Sequence, residues 1–194
     1  MKNKKRKRFL LIVPKFSYFS VLVQLVINTN LLLAAAVASM VVGALGALNQ
    51  TSVKRLLAYS GILNMGFILL DLGIGSIEGI QASLLYLVIY ILTSVLIFSI
   101  LLGLKLENCT LNDIVGFSRK TPLVGILWGL GFLSSAGIPP LLGFYGKWIV
   151  LVTAISKGLY GFSIFAVIAS VVAAVYYIRI MLNAYFQSNQ LMAT

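Results

Sequence analysis

Two lysines stand inside apolar sequence, where a charge is least expected. Lys147 lies in Gly143-Phe144-Tyr145-Gly146-Lys147-Trp148-Ile149-Val150, and Lys15 in Leu11-Ile12-Val13-Pro14-Lys15-Phe16. A charge at membrane depth costs at least about 2.5–3.5 kcal/mol on insertion scales, so it needs a partner, a water cavity or a neutral state. The plainer alternative is a side chain that snorkels to the interface. Few apolar residues separate Lys15 from Arg8, which leaves both readings open for Lys15. Lys147 has apolar neighbours for many residues each way, which favours a functional role. The chemistry would be proton transfer. A neighbouring charge, a water chain or a change of hydration can switch a buried amine between its two protonation states, whereas arginine stays protonated.

A break in the chain precedes Lys147. Ser134-Ser135-Ala136-Gly137-Ile138-Pro139-Pro140-Leu141-Leu142-Gly143 carries two consecutive prolines. They remove two backbone donors and clash with the preceding turn, and Ile138 is pushed out of helical geometry by the proline after it. Helix is expected to stop near Gly137 and to restart after Pro140, with Lys147 about two turns into the second piece. A plain loop between two re-entrant pieces is the competing reading, but the 32 residues of 122–153 suit one interrupted crossing better than two full ones. Broken membrane helices are tolerated where the freed groups face protein or water, and they mark ion pathways in transporters. The small Gly143 and Gly146 allow another helix or water to come close to Lys147.

Other chemistry is thinly represented. There is one cysteine, Cys109, in a polar loop, and no histidine, so neither a disulfide nor a metal or iron–sulfur site is expected. Gly46–Ser60 forms a polar turn followed by Lys54 and Arg55 at a helix start. Cations there oppose the helix dipole, and anionic head groups with the positive-inside bias account for them.

The elements that must position these residues are membrane helices. Sixty per cent of the 194 residues are hydrophobic and 10% are charged, against about 25% charged in a soluble domain. Such a chain cannot cover a water-facing surface, and lipid is its natural solvent. A spanning helix takes about 20 apolar residues. Six candidates appear at 9–27, 31–49, 53–72, 79–104, 122–153 (broken) and 158–186, after a basic flank at 1–8 and before a polar tail at 187–194. The reading is a single all-α transmembrane domain, with 105–121 as the one longer polar loop.

The net charge of +11 could suggest nucleic acid, but six of the 15 basic residues fall in Lys2–Arg8 and no polar domain follows. Loop counting gives a better account. With six spans, one side holds the N-terminal cluster, Lys54, Arg55, Lys105, Arg119 and Lys120. The other holds Lys157, with Asp71 and Glu78 nearby, an asymmetry of 11 to 1. The basic side is expected to be the cytoplasm or mitochondrial matrix, with both termini there. A basic start before an apolar run also resembles a signal peptide. Cleavage at Ala36-Val37-Ala38 would make that signal unusually long, so the segment is expected to remain as a helix.

Several strings resemble mitochondrial NADH dehydrogenase subunit 2, an antiporter-like membrane subunit of respiratory complex I: Gly43–Ser60, Gly75-Ser76-Ile77-Glu78-Gly79-Ile80-Gln81, Ala136–Lys147, Tyr176-Tyr177-Ile178-Arg179 and the Pro14-Lys15 pair. The resemblance covers nearly all of 11–186. It implies a fold of two inverted five-helix repeats, of which this chain has the second plus part of the helix linking the two. It implies that Lys147 is the broken-helix lysine of proton exchange, and that Lys15 is the lysine of the linking helix. It further implies a mitochondrial inner membrane location, other membrane-arm subunits as partners, and FMN, iron–sulfur clusters and ubiquinone elsewhere in the complex with no cofactor on this chain. Two departures stand out: the first repeat is absent, and Asn64 occupies a position where the family often has histidine.

The resulting expectation is a C-terminal fragment of subunit 2, separately translated as from a split gene, whose first half comes from another chain. It would act in proton translocation among lipids and would bind no nucleic acid. The alternative is a subunit of a multi-subunit cation/proton antiporter or membrane-bound hydrogenase. A purely structural scaffold, a third possibility, would need neither lysine.

Overall fold

A computed structural model describes residues 29–103, 110–111, 113–114 and 122–186. The span expected at 9–27, with Pro14 and Lys15, lies outside the described residues, as do the basic flank, Cys109 and the tail. The described residues form six helices: α1 (Thr29–Leu48), α2 (Val53–Gly73), α3 (Ile77–Gly103), α4 (Pro122–Ala136), α5 (Leu142–Ser156) and α6 (Tyr160–Tyr185). α1, α2, α3 and α6 are long and apolar enough to cross a membrane, while α4 and α5 are shorter apolar pieces. The broken span thus runs to Ser156, three residues past the expected end.

α1 and α2 pack as a tight antiparallel hairpin. Lipid tails are as apolar as the side chains, so helices associate there through close fit of small residues and not by expelling water. A Cβ on Gly43 would lie 2.8 Å from the Leu63 Cα, and one on Gly66 would lie 3.0 Å from the Ala36 carbonyl. α6 uses alanine for the same purpose. Ala166, Ala169, Ala173 and Ala184 are buried along one face, at three- and four-residue spacings with Tyr176, Tyr177 and Ile180. Its other face exposes Ile164, Val167, Ile168, Val171, Val175, Ile178 and Leu182. Water would not tolerate that stripe, but lipid or a partner helix would.

The two ends of the bundle are tied by polar contacts. At one end, Ser52 pairs with Thr110 in an isolated bridge and the Leu111 N–H donates to the Thr51 carbonyl at 2.9 Å. Part of the loop expected to be simply polar therefore packs, with Leu111 and Ile114 buried. Asp113 accepts from the Thr110 N–H (2.8 Å) and hydroxyl (2.7 Å), first the backbone donor and then the side chain holding its carboxyl below the usual range. Arg179, near the end of α6, donates to the Leu48 carbonyl at this same end (3.3 Å), and Tyr185 donates to Gly125 of α4 (2.6 Å). At the other end, Lys157 pairs with Glu78 at 2.9 Å. Lys54 and Arg55 therefore share one end, and Glu78 and Lys157 the opposite one, as the count of loop charges expected.

Asp71 departs from that count. The count places it beside the loop charges, but it lies inside α2 with none of its surface exposed. α2 runs one residue further than its expected span, to Gly73, before Gly75 turns the chain at φ +69°.

Candidate functional site

α4 ends as its sequence requires. Gly137 adopts φ +84°, a left-handed conformation that glycine enters without steric cost. Its N–H donates to the Ser134 carbonyl (3.0 Å), and the Ile138 N–H reaches back to Leu133 (3.2 Å). This is the Schellman closure of a helix C-terminus. It leaves the last two carbonyls, of Ser135 and Ala136, without backbone donors.

Lys147 fills that gap. Its Nζ donates to the Ser135 and Ala136 carbonyls at 3.0 Å each. The side chain is 6% exposed, so it points into the protein and does not snorkel. The ammonium also sits 5.6 Å from the centre of the Phe67 ring on α2, within cation–π range. The negative end of the α4 dipole faces the same group. α5 restarts at Leu142, one residue later than expected, so Lys147 is its sixth residue, about a turn and a half in.

The two half-helices brace one another. The Gly143 N–H, one of the orphan donors of the restarted helix, donates to the Ser134 hydroxyl at 3.1 Å. Pro139 and Pro140 have no N–H to satisfy. A Cβ on Gly143 would overlap the Ser134 carbonyl, and one on Gly146 would press 2.6 Å from the Tyr86 ring. Both glycines therefore allow close approach, as their positions suggested.

Beyond the Phe67 ring, toward the basic end, runs a chain of polar side chains that sequence reasoning did not assemble. Phe67 packs on Tyr86, with ring centres 5.9 Å apart. The Tyr86 hydroxyl donates to Asn64 Oδ1 (2.8 Å), and Asn64 lies one helical turn from Ser60. The Ser60 and Tyr177 hydroxyls are hydrogen-bonded to each other. All of these residues are buried. The hydroxyls of Tyr86 and Tyr177 carry no hydropathy signal, and Ser60 and Tyr177 are 117 residues apart. Toward the opposite end, the Thr153 hydroxyl of α5 lies 2.9 Å from Asp71 Oδ1. Gly137, Pro139, Pro140 and Lys147 thus come together at one break, while Lys15 lies outside the described residues.

A buried lysine held on carbonyls freed at an interrupted membrane helix is chemically able to bind and release a proton. The family model described as NADH:quinone oxidoreductase/Mrp antiporter, transmembrane, matches residues 9–173. The chain belongs to this family. Within it, the chain is 51% identical over 177 residues to NADH-ubiquinone oxidoreductase chain 2 of Metridium senile, covering 91% of this chain and 46% of that one. Among solved structures, a chain of respiratory complex I from Thermus thermophilus with bound aureothin superposes with TM-score 0.78 at 33% identity, over 89% of this chain and 40% of that one. A chain of the Mrp complex from Dietzia sp. DQ12-45-1b also reaches 0.78, at 22% identity over 84% and 31%, a likeness of fold alone. The chain spans less than half the length of these antiporter-family relatives. The resemblance read from the sequence motifs is thereby established, and the fold is the all-helical one of antiporter-like membrane subunits.

Proposed function

We propose that this chain forms the second-repeat half of subunit 2 of a proton-translocating NADH:quinone oxidoreductase, and that Lys147 carries protons through it. The observation that bears most weight is the buried Lys147 ammonium on the Ser135 and Ala136 carbonyls. These contacts favour the charged amine but supply no full countercharge. A change in hydration or a nearby charge therefore tips the balance between the two protonation states. Loss of the proton would weaken the hold on both carbonyls and move positive charge from the break toward one side or the other.

In this reading the chain is a non-redox part of the enzyme. Electron transfer through flavin, iron–sulfur clusters and quinone takes place on other subunits, and the helices here convert its free energy into proton movement. The first repeat would come from further polypeptide, the partners would be other membrane-arm subunits, and the location would be the mitochondrial inner membrane. Lys15, on the linking helix, would pass protons along the axis toward Lys147. The 51% identity to chain 2 over 91% of this chain supports this assignment over a cation/proton antiporter or membrane hydrogenase.

Purification of the chain from its native membrane through an affinity tag tests the assignment. It should bring down an assembly that oxidises NADH and reduces quinone, together with polypeptide supplying about five further helices. An assembly without flavin or NADH oxidation, exchanging sodium for protons, would replace the assignment with the antiporter one.

A further inference from the structure

The proton path proposed above does not use Asp71. This residue sits in α2, one turn beyond Phe67, whose ring faces Lys147. None of its surface is exposed, and its Oδ2 has no hydrogen-bond partner among the described residues. The one ion pair among the described residues joins Glu78 to Lys157, so no cation there neutralises Asp71. A permanent unpaired carboxylate at this depth would be expensive. A proton is the simplest countercharge.

Thr153 supplies the decisive geometry. Its Oγ1 lies 2.9 Å from Asp71 Oδ1, and also 2.9 Å from the carbonyls of Ile149 and Val150. A hydroxyl has one proton to donate and two lone pairs to accept with. When Asp71 is ionised, Thr153 donates to Oδ1. When Asp71 is protonated, its O–H donates to Oγ1, and the threonine proton turns to Ile149 or Val150. The contact between Oδ1 and Thr153 is kept in both charge states without moving a heavy atom. A purely structural bond would need only one of them.

The surroundings give direction. α2 and α5 run parallel here toward the end that carries Glu78 and Lys157. Thr153 is six residues beyond Lys147 on α5, about 9 Å along the axis. α1, packed along α2, brings no titratable side chain. The charged groups on the helices beside α2 are Lys147 on the inner side, Glu78 paired with Lys157 on the outer side, and Arg179 at the distant basic end; the other titratable groups there are tyrosines, among them Tyr86 and Tyr90 on α3 and Tyr145 on α5.

We propose that Asp71 is a proton-binding station between Lys147 and the Glu78–Lys157 end, with Thr153 as its two-state hydrogen-bond partner. This rests on the assignment of Lys147 to proton transfer. The step balances simply. The Lys147 ammonium gives up one proton, which internal water carries to Asp71, leaving a neutral amine and a neutral carboxylic acid. The acid then releases the proton to water at the Glu78–Lys157 end and returns to carboxylate.

The test uses the intact complex in proteoliposomes, with proton pumping and difference infrared spectra recorded on Asp71→Asn, Thr153→Val and Lys147→Ala. The account expects Asp71→Asn to lose as much pumping as Lys147→Ala. It also expects a carboxylic-acid carbonyl band in the unmutated complex that shifts in Thr153→Val and vanishes in Asp71→Asn. Normal pumping in Asp71→Asn beside impaired pumping in Lys147→Ala would overturn this inference and leave the lysine reading standing. Normal pumping in both would overturn that reading as well. Should Asp71→Asn fail to assemble, the band decides, and its absence or its indifference to Thr153→Val would overturn the inference.

Discussion

At the scale of single residues, the site is built on hydrogen-bond accounting. Lys147 is held by two carbonyls that the Schellman closure of α4 cannot use, and Ser134 caps the facing N-terminus. Tyr86→Phe would leave Asn64 Oδ1 without its buried donor. A lost partner of this kind costs about 1–3 kcal/mol, so the detergent-solubilised complex is expected to denature at lower temperature. Gly143→Val is expected to be harsher, since even a single added carbon overlaps the Ser134 backbone. Assembled complex on native gels should fall to a small fraction of the unmutated level, whereas a result near that level would mean that the two half-helices are not so closely packed. The functional suspicion of Lys147 was legible because a lysine in an apolar run is rare and costly. Asp71 was not, because it stands beside the polar turn at Gly75–Glu78 and reads as a loop charge. Only its packing against Thr153, 82 residues away in sequence, reveals it.

At the scale of elements, the break between α4 and α5 is what turns a transmembrane helix into a site. Its position was readable from Pro139-Pro140 and Gly137, since lost donors and a left-handed glycine leave a helix few options. What fills the break was not readable, because it depends on a side chain reaching back 11 and 12 residues to the Ala136 and Ser135 carbonyls. Gly137→Ala tests the closure by placing a Cβ at φ +84°, where an L-residue pays about 1–2 kcal/mol. The added carbon would also lie 2.9 Å from the Lys147 Cδ. The expected outcome is a complex that assembles with reduced thermal stability and slower pumping. Among the described residues, the other helices were legible to within a few residues, since length and apolarity define a span. Their pairing was not, because it rests on scattered small residues such as Gly43, Gly66 and Ala173 that hydropathy does not distinguish from any other apolar position.

At the scale of the whole molecule, charge and packing agree on polarity: Lys54, Arg55 and Arg179 lie at one end, Glu78 and Lys157 at the other. A cysteine introduced at Ser76 in a Cys109→Ser background is expected to react with an impermeant reagent from the intermembrane side only. Labelling from the matrix side would invert the orientation proposed for the proton path. The broad apolar flanks of α1 and α6 suit contact with lipid or with a partner helix. The central claim is that Lys147 works by giving up and regaining a proton. It is tested most directly by proton pumping per electron pair in proteoliposomes containing the complex with Lys147→Ala and with Lys147→Arg. Both are expected to assemble and both to pump less than the unmutated complex, because alanine carries no proton and arginine does not release one. Full pumping with arginine would show that a fixed positive charge suffices, and full pumping with alanine that the buried lysine is structural, either of which would contradict the account.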